Sequence, residues 1–196
     1  NKLDAIFSQP TELTLDTQNQ QLIITDKSQG KIYRSALSNP NLSSVALNTN
    51  GDQITLNAPS KTILDKSVNE ALLLDIAVTA RSSSNSIYSI DTQTGDTKNK
   101  VDLSTIAGIS NVIDMAASPD GKTLYFLSEL ENSRSGGAIV SYNLSAQTAA
   151  MLSTTEAHSD PDATAPSTLS INNSGSTLYY IDNNALVSVN TSTSST

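Results

Sequence analysis

The sequence contains no cysteine, which excludes disulfide bonds, thiolate zinc sites, a cysteine nucleophile and covalent haem attachment. It has a single histidine, His158, so any metal site that needs two histidines is also excluded. Charged residues make up only 15% of the chain, and the formal net charge is -8. An acidic surface repels phosphate backbones, so we expect no nucleic-acid partner.

Long hydrophobic runs are missing as well. The longest apolar tract, residues 72–78, is interrupted by Asp75 and falls short of the ~18 residues that a membrane span needs. We therefore expect a buried strand there and no membrane span. No signal peptide is visible, so export would require that the signal has already been removed. Ser, Thr and Asn are abundant, which favours turns and half-buried strands over long helices.

What the sequence does contain is an internal repeat of about fifty residues. Each copy has the end of one strand, a polar turn, and a second strand that opens with Leu and large apolar residues. A second set of similar strands lies downstream of each copy, at residues 32–36, 87–91, 139–143 and 186–190, and weaker strands follow at 44–47, 100–103 and 149–152. The copies begin at Leu15, Leu64, Ala117 and Ile171.

Turn residues support this division into strands. Asp120-Gly121 and Ser174-Gly175 supply the glycine with positive φ that a tight hairpin requires. In the first copy, Asn19 is predicted to take that left-handed position.

A four-stranded unit repeated around an axis is a propeller blade. We predict an all-β fold, a single β-propeller domain over residues 1–196 with four blades of about fifty residues. The repeats cover about 11–58, 59–110, 111–163 and 164–196, and residues 1–8 supply a closing strand for the last blade. Either the four blades close into a ring, or the chain is part of a larger or multi-chain propeller.

Three segments carry a resemblance to known families. Residues 118–126, SPDGKTLYF, resemble the hairpin of bacterial YVTN and TolB-like propeller repeats, and residues 87–95, IYSIDTQTG, resemble a strand and turn common in such blades. Residues 21–33 are similar to the YWTD pattern, with Ile-Ile-Thr-Asp in place of Tyr-Trp-Thr-Asp. The resemblance implies the fold and leaves the function open, because this repeat serves sensors, receptors, scaffolds and lactone hydrolases alike.

Two sets of residues are candidate metal ligands. The loop around His158 holds Glu156, Asp160 and Asp162, whose oxygens suit a divalent cation such as Ca²⁺; the alternative is a polar surface loop. Lactonase-type propellers place acidic and Asn side chains around a metal in the central channel, and the corresponding candidates are Asp16, Asp65, Asp114 and Asn172. At turns, such residues more often satisfy backbone amides.

No catalytic or cofactor-binding motif is present, since the sequence lacks a Gly-x-Ser-x-Gly elbow, a Walker loop and a dinucleotide glycine motif. Our main hypothesis is a non-enzymatic bacterial module, secreted, periplasmic or on the cell surface, that binds a protein or glycan or assembles with itself. The alternative hypothesis is a calcium-dependent lactonase-type hydrolase of the propeller class.

Overall fold

The structure is a computed structural model that describes residues 7–49, 52–65, 70–79, 82–106, 109–130, 136–154, 164 and 166–192. The predicted all-β class is confirmed, because the described residues form strands joined by turns and a single 3-10 turn at Leu103–Thr105. No helix in these ranges has the length and apolar character that a membrane span needs. The chain divides into two compact units, Asn1–Leu103 and Ser104–Thr196.

Unit 1 contains two four-stranded antiparallel sheets, each with its strands side by side in chain order. Sheet 1 consists of β1 (Pro10–Asp16), β2 (Gln21–Asp26), β3 (Lys31–Ala36) and β4 (Leu42–Val45). A short hairpin of β5 (Asn48–Thr49) and β6 (Asp52–Gln53) follows. Sheet 2 consists of β7 (Pro59–Asp65), β8 (Glu70–Thr79), β9 (Ser82–Ile90) and β10 (Thr97–Asp102).

Unit 2 repeats this meander. Sheet 3 consists of β11 (Ile109–Ala117), β12 (Thr123–Leu130), β13 (Gly137–Asn143) and β14 (Thr148–Thr154). Sheet 4 has three strands within the described residues, β15 (Ser167–Ile171), β16 (Thr177–Asp182) and β17 (Ala185–Asn190). The predicted closing strand lies largely in residues 1–6, outside the described ranges; the next residue, Phe7, packs edge-on against Tyr33 of sheet 1.

The hairpin turns follow the predicted chemistry in two of three cases. Gly121 and Gly175 have φ of 72° and 74°, as expected for the left-handed position. The prediction for Asn19 is wrong, because Gln20 takes that conformation with φ of 51°. The side chain of Asn19 instead donates to Asp16 Oδ2 at 2.7 Å.

Each unit has its own apolar core, formed where its two sheets face each other. In unit 1, Ile23 and Ile32 of sheet 1 pack with Leu73 and Ile90 of sheet 2. In unit 2, Tyr125 and Leu127 of sheet 3 pack with residues of sheet 4, namely Leu169, Leu178 and Tyr180. The second strands contribute alternate residues to these cores, as the period of two in a strand requires.

A polar contact that recurs in sheets 1 and 2 holds the residues before the first strand to the second strand of the same sheet. Asp26, the sixth residue of β2, accepts hydrogen bonds from the backbone amides of Ser8 and Gln9 at 2.6 and 3.1 Å. Asp75, the sixth residue of β8, accepts from the amides of Asn57 and Ala58 at 3.0 and 2.7 Å. In both sheets the donors lie 18 and 17 residues before the aspartate. This contact positions the first strand of sheet 1 and of sheet 2.

Candidate functional site

The predicted metal ligands Glu156, Asp160 and Asp162, together with His158, lie outside the described residues, so that site stays a prediction. Within the described ranges, no three His, Asp or Glu side chains are grouped closely enough to hold a metal ion.

Asp16 serves its own turn. Its carboxylate accepts hydrogen bonds from the backbone amides of Gln18 and Asn19 at 3.1 and 3.0 Å, and from the side chain of Gln21 at 2.9 Å. Burial by itself raises the pKa of Asp16, but the hydrogen bonds from Asn19, Gln21 and Gln18 outweigh it and the net pKa is lowered. The lowered pKa favours the ionised carboxylate, which accepts hydrogen bonds from this turn.

Two other residues of the predicted calcium set are occupied in the same way. Asp114 Oδ2 accepts from the backbone amide of Leu169 at 2.7 Å, which joins β11 to β15. Asn172 Oδ1 accepts from the amides of Ser176 and Thr177 at 2.9 and 3.2 Å. Asp65 ends β7 opposite Glu70, and its side chain is outside the described part. Oxygens committed to backbone amides do not fit a Ca²⁺ ligand set, which needs several free ones.

A polar groove in unit 1 has a different character. Its volume is about 320 Å³. The strand residues that line it are Gln21, Arg34, Ala36 and Ser43. The turn residues that line it are Asn19, Asn39, Asn41 and Gln93. We call this site the Arg34 groove; Arg34 is the charged residue among those that line it.

The register of sheet 1 explains why these side chains meet. Ile23 pairs with Arg34 and Arg34 with Ser43, while Gln21 pairs with Ala36 in the next row. Directly paired residues project from the same face of a sheet. On this face, Ile23 packs in the apolar core against sheet 2. Nearer the turn between β1 and β2, the same face is polar. The groove therefore forms where the contact between sheets 1 and 2 opens to solvent.

The guanidinium of Arg34 is held by the turn between β9 and β10. Its Nη1 donates to the backbone carbonyls of Thr92 at 3.1 Å and Gln93 at 2.6 Å. Gln21 Nε2 donates to Thr92 Oγ1 at 2.9 Å and ties the same turn to sheet 1. Among the described residues, no carboxylate pairs with Arg34. A positioned cation among amide and hydroxyl groups suits a polar or anionic ligand.

The sequence analysis did not identify this groove. Arg34 and Gln93 lie 59 residues apart, and no motif connects them. One feature of the sequence could have pointed to it. In the second set of repeat strands, Arg34 stands at a position that holds serine in the other three repeats.

A second groove, of about 260 Å³, lies in unit 2 beside β13 and β14. It is lined by Ile106, Tyr142, Met151 and neighbouring small or polar residues, with no carboxylate or basic group. It offers less to a charged or reactive ligand than the Arg34 groove does.

Comparison with known families places the fold. The family model described as Lactonase, 7-bladed beta-propeller, matches residues 75–190, which is 116 of the 196 residues. No curated protein matches the sequence significantly.

Solved structures agree on the architecture. Hydrazine synthase from Kuenenia stuttgartiensis aligns with a TM-score of 0.63 at 15% identity, covering 87% of this chain and 49% of its own. A candidate 6-phosphogluconolactonase from Bacteroides uniformis aligns with a TM-score of 0.55 at 21% identity, covering 92% and 50%. A second, from Bacteroides fragilis, gives 0.51 at 16% identity, covering 87% and 47%.

At these identities the likenesses establish the fold alone, and the chain spans about half the length of each of the three structures. They confirm the predicted β-propeller class. The blade number of four and the particular YVTN, TolB-like or YWTD repeat type stay predictions.

Proposed function

The chain belongs to the lactonase family of seven-bladed β-propellers, and from this membership we propose that it hydrolyses lactone rings. In this reaction water adds to the acyl carbon, the ring C–O bond breaks, and the ring oxygen takes a proton, so the product is a hydroxy acid. The family match over residues 75–190 is the observation that carries the proposal. It favours the hydrolase alternative over the non-enzymatic module.

Sugar lactones are the substrates to test first. Two structural neighbours carry the name of candidate 6-phosphogluconolactonases, a name that belongs to those proteins. The reaction is proposed here without calcium at Asp16, Asp114 and Asn172, because their oxygens are bound by backbone amides.

A pH-indicator assay with glucono-δ-lactone and γ-butyrolactone tests the proposal. We expect a rate above spontaneous ring opening that rises in proportion to protein concentration, with the sugar lactone preferred. A rate equal to the uncatalysed one for both lactones would exclude the activity.

Calcium dependence is tested in the same assay by adding EDTA. A rate that survives EDTA agrees with the occupied oxygens of Asp16 and Asp114. If EDTA abolishes the rate, a variant carrying Glu156→Gln, Asp160→Asn and Asp162→Asn determines whether the acidic loop holds the ion. If added calcium restores the rate of the wild-type protein but not that of this variant, the ion is assigned to the loop.

A second candidate function is assembly with another copy of the chain, and exposed apolar sheet faces support it. On sheet 1, Leu13 and Leu15 are exposed, and they lie on the same face as Leu22 and Ile24. We call these four residues the open face of sheet 1. Contiguous exposed apolar surface favours a protein partner.

The open face of sheet 4 consists of Tyr179, Ile181 and Leu186, of which Leu186 is 70% exposed. The packing inside unit 2 indicates what such a face fits. There, the third and fifth residues of β12, Tyr125 and Leu127, pack with the second and fourth residues of the next sheet's second strand.

The same arrangement would place the third and fifth residues of β16, Tyr179 and Ile181, against the second and fourth residues of β2, Leu22 and Ile24, of a second copy. Two copies would also supply the length of one relative, since one chain spans about half. We propose this head-to-tail contact as the means of self-assembly.

A further inference from the structure

Arg34 departs from the internal repeat at one position. Ser89, Ser141 and Ser188 occupy the corresponding place in the other three sheets. Each of the four residues pairs with the third residue of its sheet's second strand: Ile23, Leu72, Tyr125 and Tyr179. The other three sheets accommodate serine at this position, whereas in sheet 1 one nitrogen of the arginine binds the turn between β9 and β10.

No carboxylate in the described part of the chain pairs with the arginine, although the protein is acidic. The chain has 19 Asp and Glu residues against 11 Lys and Arg. Both strong hydrogen bonds of its guanidinium, to Thr92 and Gln93, are made by Nη1. In the described part of the chain, Nη2 and Nε have no partner. These atoms present a fork that matches a carboxylate.

The carboxylates of Asp16 and Asp91, in the two turns beside the groove, already accept hydrogen bonds from the protein. Asp16 is buried, and its oxygens accept from the turn and from Gln21. Asp91 Oδ1 accepts from the backbone amides of Gln93 and Thr94 at 2.8 and 3.1 Å. A ligand anion at Arg34 therefore meets carboxylates whose charge is already stabilised by hydrogen bonds.

The remaining walls of the groove are uncommitted. The side chains of Asn39, Asn41 and Ser43 are exposed and make no hydrogen bond to the described protein atoms. Two amides and a hydroxyl offer both donors and acceptors, as the hydroxyls of a sugar require. Their neighbour Arg34 supplies one positive charge.

We propose that the Arg34 groove binds a small polyhydroxylated carboxylate, that is, a sugar acid. A single guanidinium balances the single charge of a carboxylate, whereas a phosphate dianion usually meets more than one cation. The groove of about 320 Å³ is at the small end of ligand sites and suits a single sugar unit. The proposal does not rest on lactone hydrolysis.

Isothermal titration of the whole chain with sodium gluconate tests it, with glucose and inorganic phosphate as comparison ligands. We expect gluconate to bind, with an affinity that falls as salt rises, and glucose and phosphate to bind at least tenfold more weakly. The Arg34→Ser variant installs the residue of the other three units and should fold. It should weaken gluconate binding about 10- to 100-fold.

Two control variants separate charge from geometry. Lys27→Ser removes one positive charge at the opposite end of sheet 1 and should leave gluconate affinity unchanged. Arg34→Lys keeps the charge but loses the fork, and should give an intermediate affinity.

Several outcomes would overturn the proposal: no gluconate binding, equal affinity for glucose, tighter binding of phosphate, or equal losses in Arg34→Ser and Lys27→Ser. A hydrolysis rate retained by Arg34→Ser would place the lactone reaction elsewhere without affecting the binding result.

Discussion

Buried aspartates in this chain stabilise backbone turns and strand entries. Asp26 is fully buried and accepts hydrogen bonds from the amides of Ser8, Gln9 and Gln29. Burial raises the pKa of its carboxyl, but these hydrogen bonds, with that from Ser28, outweigh burial and lower the pKa below the ordinary 3.8. The ionised form is thus part of the folded state.

The lowered pKa of Asp26 predicts how stability depends on pH. Because its pKa is lower in the folded than in the unfolded chain, its contribution is complete above about pH 4 and is lost as the pH falls through the folded value. Asp26→Asn should cost about 2 kcal/mol at neutral pH, measured by urea unfolding, since backbone donors lose a charged acceptor. Its stability should also fall less steeply in acid.

Asp52→Asn is the matched control, because Asp52 is exposed at the short hairpin. Equal losses of stability in the two variants, or parallel acid profiles, would refute the role assigned to Asp26.

The same residue shows how far local sequence could lead. The resemblance to the YWTD pattern drew attention to Thr25-Asp26 but did not predict what Asp26 binds. Asp26 accepts hydrogen bonds from amides 17 and 18 residues earlier in the chain, and no local sequence rule predicts that pairing. Asp75 accepts hydrogen bonds from amides at the same two spacings, and it is the folding of sheet 2 that brings these groups together.

At the scale of elements, the turns between strands decide how closely sheets can approach. Gly95, between β9 and β10, has φ of 80°, and a Cβ there would lie 1.9 Å from the backbone oxygen of Ala46. Gly175, between β15 and β16, has φ of 74°, but its nearest neighbour would be the side chain of Pro119 at 3.0 Å. Both glycines satisfy a turn, and Gly95 also permits a backbone contact.

We therefore expect unequal costs for alanine at these two positions. Gly175→Ala should lose about 1–2 kcal/mol through the left-handed backbone, measured by urea unfolding. Gly95→Ala should lose at least about 3 kcal/mol, because the chain at Ala46 must also move. If the two variants lost the same amount, the close approach at Ala46 would have no energetic role.

Hairpins with a glycine were accurately predicted, because the φ preference is a property of the residue itself. The error at Asn19 has a physical cause. In the structure its side chain donates to Asp16 Oδ2 and its backbone amide donates to Asp16 Oδ1, while the next residue, Gln20, takes the left-handed conformation. The preference of asparagine for that conformation takes no account of these contacts with Asp16.

At the scale of the whole molecule, the open faces of sheets 1 and 4 lead to a test of assembly. In size-exclusion chromatography with light scattering, the wild-type protein should have twice the chain mass of 20.6 kDa. Leu13→Thr with Leu186→Thr, at positions 62% and 70% exposed, should restore the single-chain mass, because threonine keeps strand preference while removing apolar area.

Met151→Thr serves as control, since Met151 is half-buried on β14 of sheet 3, which carries neither open face. Wild-type protein that stays at the single-chain mass at high concentration would contradict assembly. The localisation outside the cytoplasm stays a prediction.

The sequence by itself determined the all-β class, the repeated strand pairs and the glycine turns, because hydrophobic alternation and φ preference act between near neighbours in the chain. Only the tertiary structure decided that Arg34 meets Gln93 across 59 residues, and that Asp16, Asp114 and Asn172 commit their oxygens to backbone amides. Such meetings depend on strand register and on the packing of one sheet against the next, which a residue's own chemistry does not specify.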